Sequence, residues 1–194
     1  MEQLIDGLMK KFFIELEASG RHVHLSKEAA ETLFCHALSE KRPLSQPGQF
    51  VCHERVSVIG PKGRFDNVAV LGPERKECQT EISATDCVKL GIDPVVRLSG
   101  DVKNAPTVTL EANGKQVTSG AIVAQRHIHM TPEDAQLRGI SDGERVKIRT
   151  LTARPVTFEA VTVRVSPKFT TYAHLDFDEA NACGFQKGDL GLIV

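Results

Sequence analysis

The stretch Arg21–Ser26, with the sequence RHVHLS, returns 105 residues later as RHIHMT at Arg126–Thr131. In each copy two histidines flank one apolar residue, and a Ser or Thr precedes a segment with helical spacing. Residues two apart on a strand point to the same face. Each copy therefore predicts a strand that presents two imidazoles side by side. The repeat indicates two related structural units, each ending a strand at the same kind of site.

The remainder of the chain has the pattern of a β protein. From about residue 49 onward, short Val- and Ile-rich runs alternate with turn signals, and Asn113-Gly114 between two alternating runs predicts a hairpin. Many short strands at close spacing are typical of barrels or sandwiches. We expect a mainly β fold.

Short helices are expected where a capping residue follows a strand pattern. Thr131, followed by Pro132 and acidic residues, is a good helix start. Asp176 has Glu179 three residues later, as in a capping box. A further helix is expected after Ser26, and a helical turn around residues 83–90.

Composition excludes several classes of function. The net charge is −1, with nine Phe, one Tyr and no Trp, which argues against nucleic-acid binding and against an anionic membrane surface. No apolar run approaches the ~18 residues of a membrane span, and the first residues lack the features of a secretory signal. Five cysteines without a CxxC pair predict reduced thiols. We expect a soluble, cytoplasmic protein.

The histidines suggest a metal centre. A lone histidine is usually structural, but neutral imidazole is the commonest metal ligand, and two HxH pairs in matching contexts favour metal binding. Helix starts beside the pairs favour an anionic ligand. The alternative is that Arg21 and Arg126 lead a buried network that the histidines only support. The predicted metal ligands among the histidines are His22, His24, His127, His129 and His174.

One charged segment, GPERKECQTEIS at residues 72–83, adds two candidates. Glu81 is a candidate carboxylate ligand, and Arg75 offers a planar fork for phosphate or carboxylate. On their own these residues carry little weight, because charged loops are usually solvated. Neither a dinucleotide fingerprint, a Walker-type loop nor a nucleophile elbow occurs. Cys183 is interpreted as a small buried hydrophobe.

Seven strings together resemble a known family, and they span nearly the whole chain. They are SGRHVHLS (19–26), QPGQFVCHERV (46–56), VIGPKG (58–63), VLGPERKECQTEIS (70–83), RLSGD (97–101), IVAQRHIHMTPEDA (122–135) and HLDFDEANACG (174–184). The chain resembles the phosphate propanoyltransferase family, the phosphotransacylases associated with bacterial microcompartments.

The resemblance implies a zinc enzyme that catalyses acyl-CoA + phosphate ⇌ acyl phosphate + CoA, with propanoyl or acetyl as the acyl group. It implies two Zn²⁺ per chain. The first would be held by His22, His24 and Glu81, and the second by His127, His129 and His174. Arg75 would be the catalytic, phosphate-binding arginine. Because no evident nucleophile lies beside the histidine pairs in the sequence, we expect phosphate to attack the acyl carbon directly, without a covalent acyl-enzyme.

The family fold implies two small β-barrels capped by short α-helices, with the active site between them. Residues 11–20 and 125–194 would form one barrel and residues 21–124 the other. Residues 1–10 would be a short amphipathic helix, which either docks on its own domain or directs encapsulation as microcompartment cargo. Packaged members have a linker after this helix, and this chain lacks one. Family resemblance also suggests a homodimer or larger homo-oligomer.

Three alternatives belong to other classes of function. A metal-dependent thioester hydrolase would use water in place of phosphate. A non-catalytic zinc-binding module would have closed structural sites, but such sites are usually rich in cysteine. A redox iron enzyme of double-barrel type would also use HxH pairs.

Overall fold

The structure is a computed structural model that describes residues 7 and 9–194. The chain forms two compact units. The middle barrel is Gly20–Ala124, and the terminal barrel combines the segment that ends at Ser19 with Gln125–Val194. The helix predicted at residues 1–10 lies largely outside the described residues. Within the part of the chain that is described, no helix is long and apolar enough to cross a membrane.

Short strands make up most of the regular structure. In chain order they are β1 Phe13–Ser19, β2 His22–His24, β3 Glu40–Pro43, β4 Phe50–Ile59, β5 Arg64–Gly72, β6 Gln79–Ile82, β7 Val96–Arg97, β8 Thr107–Ala112, β9 Lys115–Ala124, β10 His127–Met130, β11 Arg145–Leu151, β12 Thr157–Val165, β13 Tyr172–Asp176 and β14 Leu190–Ile193. The hairpin predicted at Asn113-Gly114 joins β8 to β9.

Each unit is a closed six-stranded barrel, which confirms the predicted mainly β fold with two small barrels. In the middle barrel the order is β5-β2-β6-β9-β8-β4, and β4 pairs back with β5. The short strands β3 and β7 attach to β4 and β9. In the terminal barrel the order is β12-β10-β13-β1-β14-β11, closed by β11 with β12.

The two barrels have the same pairing directions at every step. Strands β2 and β10 run parallel to β5 and β12, and β6 and β13 run parallel to β9 and β1. The remaining pairs around both rings are antiparallel. Strand β1 thus has the position in the terminal barrel that β9 has in the middle barrel. The first strand of the chain completes the barrel formed by its last third.

Four helices begin directly after strands, each with a side-chain N-cap. They are α1 Lys27–Phe34 after Ser26, α2 Ala84–Leu90 after Ser83, α3 Pro132–Arg138 after Thr131, and α4 Phe177–Cys183 after Asp176. Each cap side chain accepts a hydrogen bond from the backbone N–H three residues later, which satisfies a donor that the first helical turn leaves open. The predicted capping box at Asp176 and Glu179 is present.

Each barrel has its own apolar interior, which decides where the histidines point. Val23 and Leu25 are fully buried in the middle core, and Ile128 and Met130 in the terminal core. Since strand residues alternate between faces, the histidines that alternate with these apolar residues project from the outer face of each barrel. The repeat predicts this arrangement.

Removal of a core side chain on β1 should destabilise the terminal barrel. Leu16 is 2% exposed and packs in the terminal core. We expect Leu16→Ala to lower the free energy of unfolding by about 2–5 kcal/mol, through lost burial and the cavity it leaves. The measurement is denaturant unfolding, with hydrogen exchange in β13 and β14 to locate the loss. The exposed Leu151→Ala is the control, and equal losses in both variants would contradict the assignment of β1.

Candidate functional site

The first candidate metal cluster lies where β2 pairs with β6. His22 is in register with Glu81 across this antiparallel pair, and His24 follows on the same face. Nε2 of His22 lies 3.6 Å from Oε2 of Glu81, and Nε2 of His24 lies 3.8 Å from Oε1. All three side chains are buried. One ligand atom from each residue lies within 4.8 Å of the other two.

The second cluster repeats this arrangement in the terminal barrel. His127 is in register with His174 across β10 and β13, and His129 completes the group. The three imidazole centroids are 4.6, 4.7 and 4.9 Å apart, and the ligand atoms again lie within 4.8 Å of one another. Phe169 stacks on His129 at 4.0 Å. The third position therefore holds a carboxylate in one barrel and an imidazole in the other.

Hydrogen bonds orient the imidazole rings toward the centre of each cluster. Nδ1 of His22 donates to the Gly20 carbonyl at 2.7 Å, Nδ1 of His127 to the Gln125 carbonyl at 2.8 Å, and Nδ1 of His24 to the Leu71 carbonyl at 3.2 Å. A carbonyl oxygen only accepts, so each of these Nδ1 atoms carries a proton, and Nε2 is the nitrogen that offers a lone pair to a metal when the ring is neutral. This is the outer hydrogen bond that metal-bound histidines make.

The spacing and chemistry of both clusters fit a bound metal ion. Ligands about 2.0–2.2 Å from a tetrahedral zinc ion lie roughly 3.3–3.6 Å apart, close to the distances that join the His22 and His24 rings to Glu81. Three imidazoles, or two imidazoles and a carboxylate, are the donor sets of open catalytic zinc sites. Structural zinc sites usually contain cysteine ligands, and neither of these clusters contains a cysteine.

Glu81 is held as a carboxylate despite its burial. Burial acts to raise its pKa, but the charge and hydrogen bonding of His22 outweigh burial and lower the pKa below its usual range. Burial acts to lower the pKa of His22, but the charge and hydrogen bonding of Glu81 outweigh burial and raise it. Burial, and then the neighbouring His22, lower the pKa of His24. The cluster thus offers the anionic oxygen of Glu81 and the neutral imidazole of His24 in a position that is largely shielded from solvent.

Arg75 lies beside the first cluster, as the sequence pattern suggested. Its backbone N–H donates to the Leu25 carbonyl at 2.8 Å, just after β2. Its Nη1 donates to Oγ of Ser99 at 3.1 Å, and Ser99 donates to Oε1 of Glu81 at 2.7 Å. A single serine therefore links the guanidinium to the carboxylate of the cluster. A cation fixed there favours an anionic ligand.

The arginines of the repeat brace the strands that carry the third residue of each cluster. Arg21 makes a two-pronged ion pair with Asp86 of α2, at 3.0 and 2.7 Å. Arg126 pairs with Glu179 of α4 at 2.6 Å. Each acid is the third residue of its helix, and the two helices begin just after β6 and β13. These ion pairs join the two arginines to acidic residues and do not involve the histidines.

Sequence reasoning missed three polar residues around the clusters. Gln79 donates to Oε1 of Glu81 at 2.5 Å and to Oγ of Ser99 at 3.0 Å. Gln79 lies two residues before Glu81, so strand periodicity could have found it. Ser99 is distant in sequence from Glu81, and Glu17 is distant from His174, so no local signal identifies either residue. Glu17 places a carboxylate oxygen 3.3 Å from Nδ1 of His174.

The cysteines behave as predicted from their number and spacing. All five are free thiols. Cys183, the thiol that follows His174 most closely in sequence, is fully buried, and burial raises its pKa. Burial also raises the pKa of Cys52 to about 12. These two thiols are suited to packing rather than to nucleophilic chemistry.

Comparison with known proteins agrees with the residue patterns. Residues 15–186 match the family described as Phosphate propanoyltransferase. A phosphate propanoyltransferase of Enterococcus faecalis is 49% identical, over 100% of this chain and 97% of that protein. Those of Listeria monocytogenes (51%; 93% of this chain, 87% of the relative) and Clostridioides difficile (46%; 100% and 95%) are also similar.

The match covers most of the chain and includes both histidine clusters. The protein is thus an enzyme of the phosphotransacylase class. The chain belongs to the phosphate propanoyltransferase family.

The Arg21–Asp86 ion pair should stabilise the middle barrel. Arg21→Ala leaves the carboxylate of Asp86, which is 5% exposed, without its bidentate partner. We expect a loss of about 1–3 kcal/mol in the free energy of unfolding, because a buried charged group then lacks its hydrogen bonds. Thermal or denaturant unfolding measures it. Arg97→Ala is the matched control, since its ion pair with Asp101 is exposed and worth less than about 1 kcal/mol. Equal effects would contradict a bracing role.

Proposed function

We propose that this enzyme transfers an acyl group between coenzyme A and phosphate, acyl-CoA + phosphate ⇌ acyl phosphate + CoA, with two Zn²⁺ per chain. Propanoyl or acetyl is the proposed acyl group. The observation that carries the proposal is the pair of oriented histidine clusters, one of them linked to a fixed arginine. The relatives are named for transfer of propanoyl to phosphate, which agrees with this chemistry.

The proposed zinc ligands are the residues of the two clusters. His22, His24 and Glu81 would hold one ion, and the other would be held by His127, His129 and His174. Bound zinc supplies Lewis acidity and stabilises a thiolate leaving group. Both zinc sites would take part in the same reaction.

Arg75 is proposed to bind and orient phosphate. The guanidinium offers several donors in a planar fork that matches phosphate oxygens. Its hydrogen bond to Ser99 and the backbone bond to Leu25 limit its freedom before phosphate arrives. A preorganised cation lowers the cost of bringing a dianion to the acyl carbon.

Phosphate itself is the proposed nucleophile, so that the acyl group passes in one step. The phosphate oxygen would form the new bond to the acyl carbon, and the bond from that carbon to the CoA sulfur would break. The buried Cys183, whose pKa burial raises, supports direct transfer over a covalent acyl-enzyme on that thiol. Homo-oligomer formation and packaging as microcompartment cargo stay predictions from the resemblance.

The deciding experiment is phosphate-dependent release of CoA from propanoyl-CoA and acetyl-CoA, measured with the metal content before and after chelation. We expect about two zinc ions per chain, no release without phosphate, and loss of activity after chelation that zinc restores. Release without phosphate would indicate a hydrolase instead, and zinc without any release a binding module. His127→Ala should lose metal and activity, whereas His53→Ala, which is exposed and outside both clusters, should keep both.

Loss of the Arg75 guanidinium should act on phosphate. We expect Arg75→Ala to raise the KM for phosphate and to lower kcat/KM by roughly 10²–10³-fold, since removal of one such preorganised donor costs about that much. The KM for acyl-CoA should change much less. Initial rates at varied phosphate measure the effect, with the neighbouring exposed Lys76→Ala as control. An unchanged KM and turnover in Arg75→Ala would refute the phosphate role.

A further inference from the structure

The two clusters differ in where they carry negative charge. In the middle barrel the third position of the cluster is Glu81, and the residue beside it on β9 is the apolar, fully buried Ile122. In the terminal barrel the third position is His174, and the residue beside it on β1 is Glu17. Strands β9 and β1 occupy equivalent positions in the two rings. The carboxylate of the middle barrel is thus on the strand that pairs with the HxH strand, and that of the terminal barrel is one strand further along the ring.

Glu17 is placed to act on His174 directly. Its Oε2 lies 3.3 Å from Nδ1 of His174. The Glu17 side chain is 33% exposed and that of His174 is 11% exposed, so the contact is only partly screened by water. His22, His24 and His127 have a neutral backbone carbonyl at this nitrogen. A carboxylate there is a stronger acceptor, and it raises the ligand strength of Nε2.

We propose that Glu17 is a positioning residue of the metal site formed by His127, His129 and His174. It fixes the ring of His174 with Nε2 toward the metal and supplies, one step outside the ligand set, the negative charge that Glu81 supplies within it. A divalent cation held there by three imidazoles would keep its full charge in a largely buried position. Glu17 would offset part of that charge without being a ligand itself. The first strand of the chain thereby contributes to metal binding as well as to barrel closure.

This inference rests on the proposed metal binding, and its test separates the two. The full-length protein is stripped of metal and titrated with Zn²⁺ against a chromophoric chelator. The titration is made in a His22→Ala/His24→Ala background, so that only the terminal-barrel site is measured. Failure of this background to bind Zn²⁺ would overturn the metal site itself, and with it the role of Glu17.

The comparison is between Glu17→Gln, Glu17→Ala and the control Glu15→Gln in that background. Glu15 is on the same face of β1 and lies near Tyr172. We expect Glu17→Gln to weaken Zn²⁺ binding by about 10–100-fold, as loss of such an outer partner usually does. Glu17→Ala should weaken it at least as much, and Glu15→Gln should leave it unchanged.

A metal-independent readout accompanies the titration. The melting temperature of metal-free Glu17→Gln should equal that of the metal-free parent, because Gln keeps the size of Glu and position 17 is partly exposed. Equal Zn²⁺ affinity in Glu17→Gln, Glu17→Ala and the parent would overturn the proposal. So would an equal loss in Glu15→Gln, or a fall in metal-free melting temperature that accounts for the lost affinity.

Discussion

The antiparallel pairing of an HxH strand with the next strand along the ring is the interaction on which both clusters depend. The backbone ladder sets His22 opposite Glu81 and His127 opposite His174. Cross-strand neighbours in such a pair have Cβ atoms only about 4.5–5.5 Å apart. Three ligand side chains therefore converge without any loop having to be ordered around them. A shift of one residue in register would turn these side chains into the barrel interior, so the strand register that forms the clusters is the register that fills the cores.

Burial makes the clusters costly and explains the polar residues around them. An imidazole or carboxylate removed from water needs a partner for each polar atom. Backbone carbonyls accept from Nδ1 of His22, His24 and His127, while Ser99 and Gln79 donate to Glu81. One candidate ligand atom of each residue then lies within 4.8 Å of those of the other two residues of its cluster. These side chains stand on strands, which hold their geometry better than loops do.

The common topology of the barrels allows one solution to be used twice with a changed ligand. The arginine before each HxH pair meets the third residue of the helix that follows the partner strand, in the form of Asp86 or Glu179. These braces connect strand and helix at the end where the clusters lie. The third residue of the cluster can then be a carboxylate in one barrel and an imidazole in the other, because the strands that position it are held in the same way.

Local sequence determined the elements, the outward face of the histidine pairs and the helix caps, because alternation along a strand and capping chemistry act over two to four residues. Val23 and Ile128 between the histidines were enough to predict which way the imidazoles point. Arg75 and Glu81 gained their roles from a family resemblance rather than from their spacing. The family resemblance, and no pattern within residues 11–20, predicted that β1 belongs to the terminal barrel. Only the tertiary structure brings Glu17 to His174 and joins Arg75 to Glu81 through Ser99. Pairing between segments distant in sequence is decided by which strand buries its apolar face in which core, and periodicity within one strand carries no information about its partner.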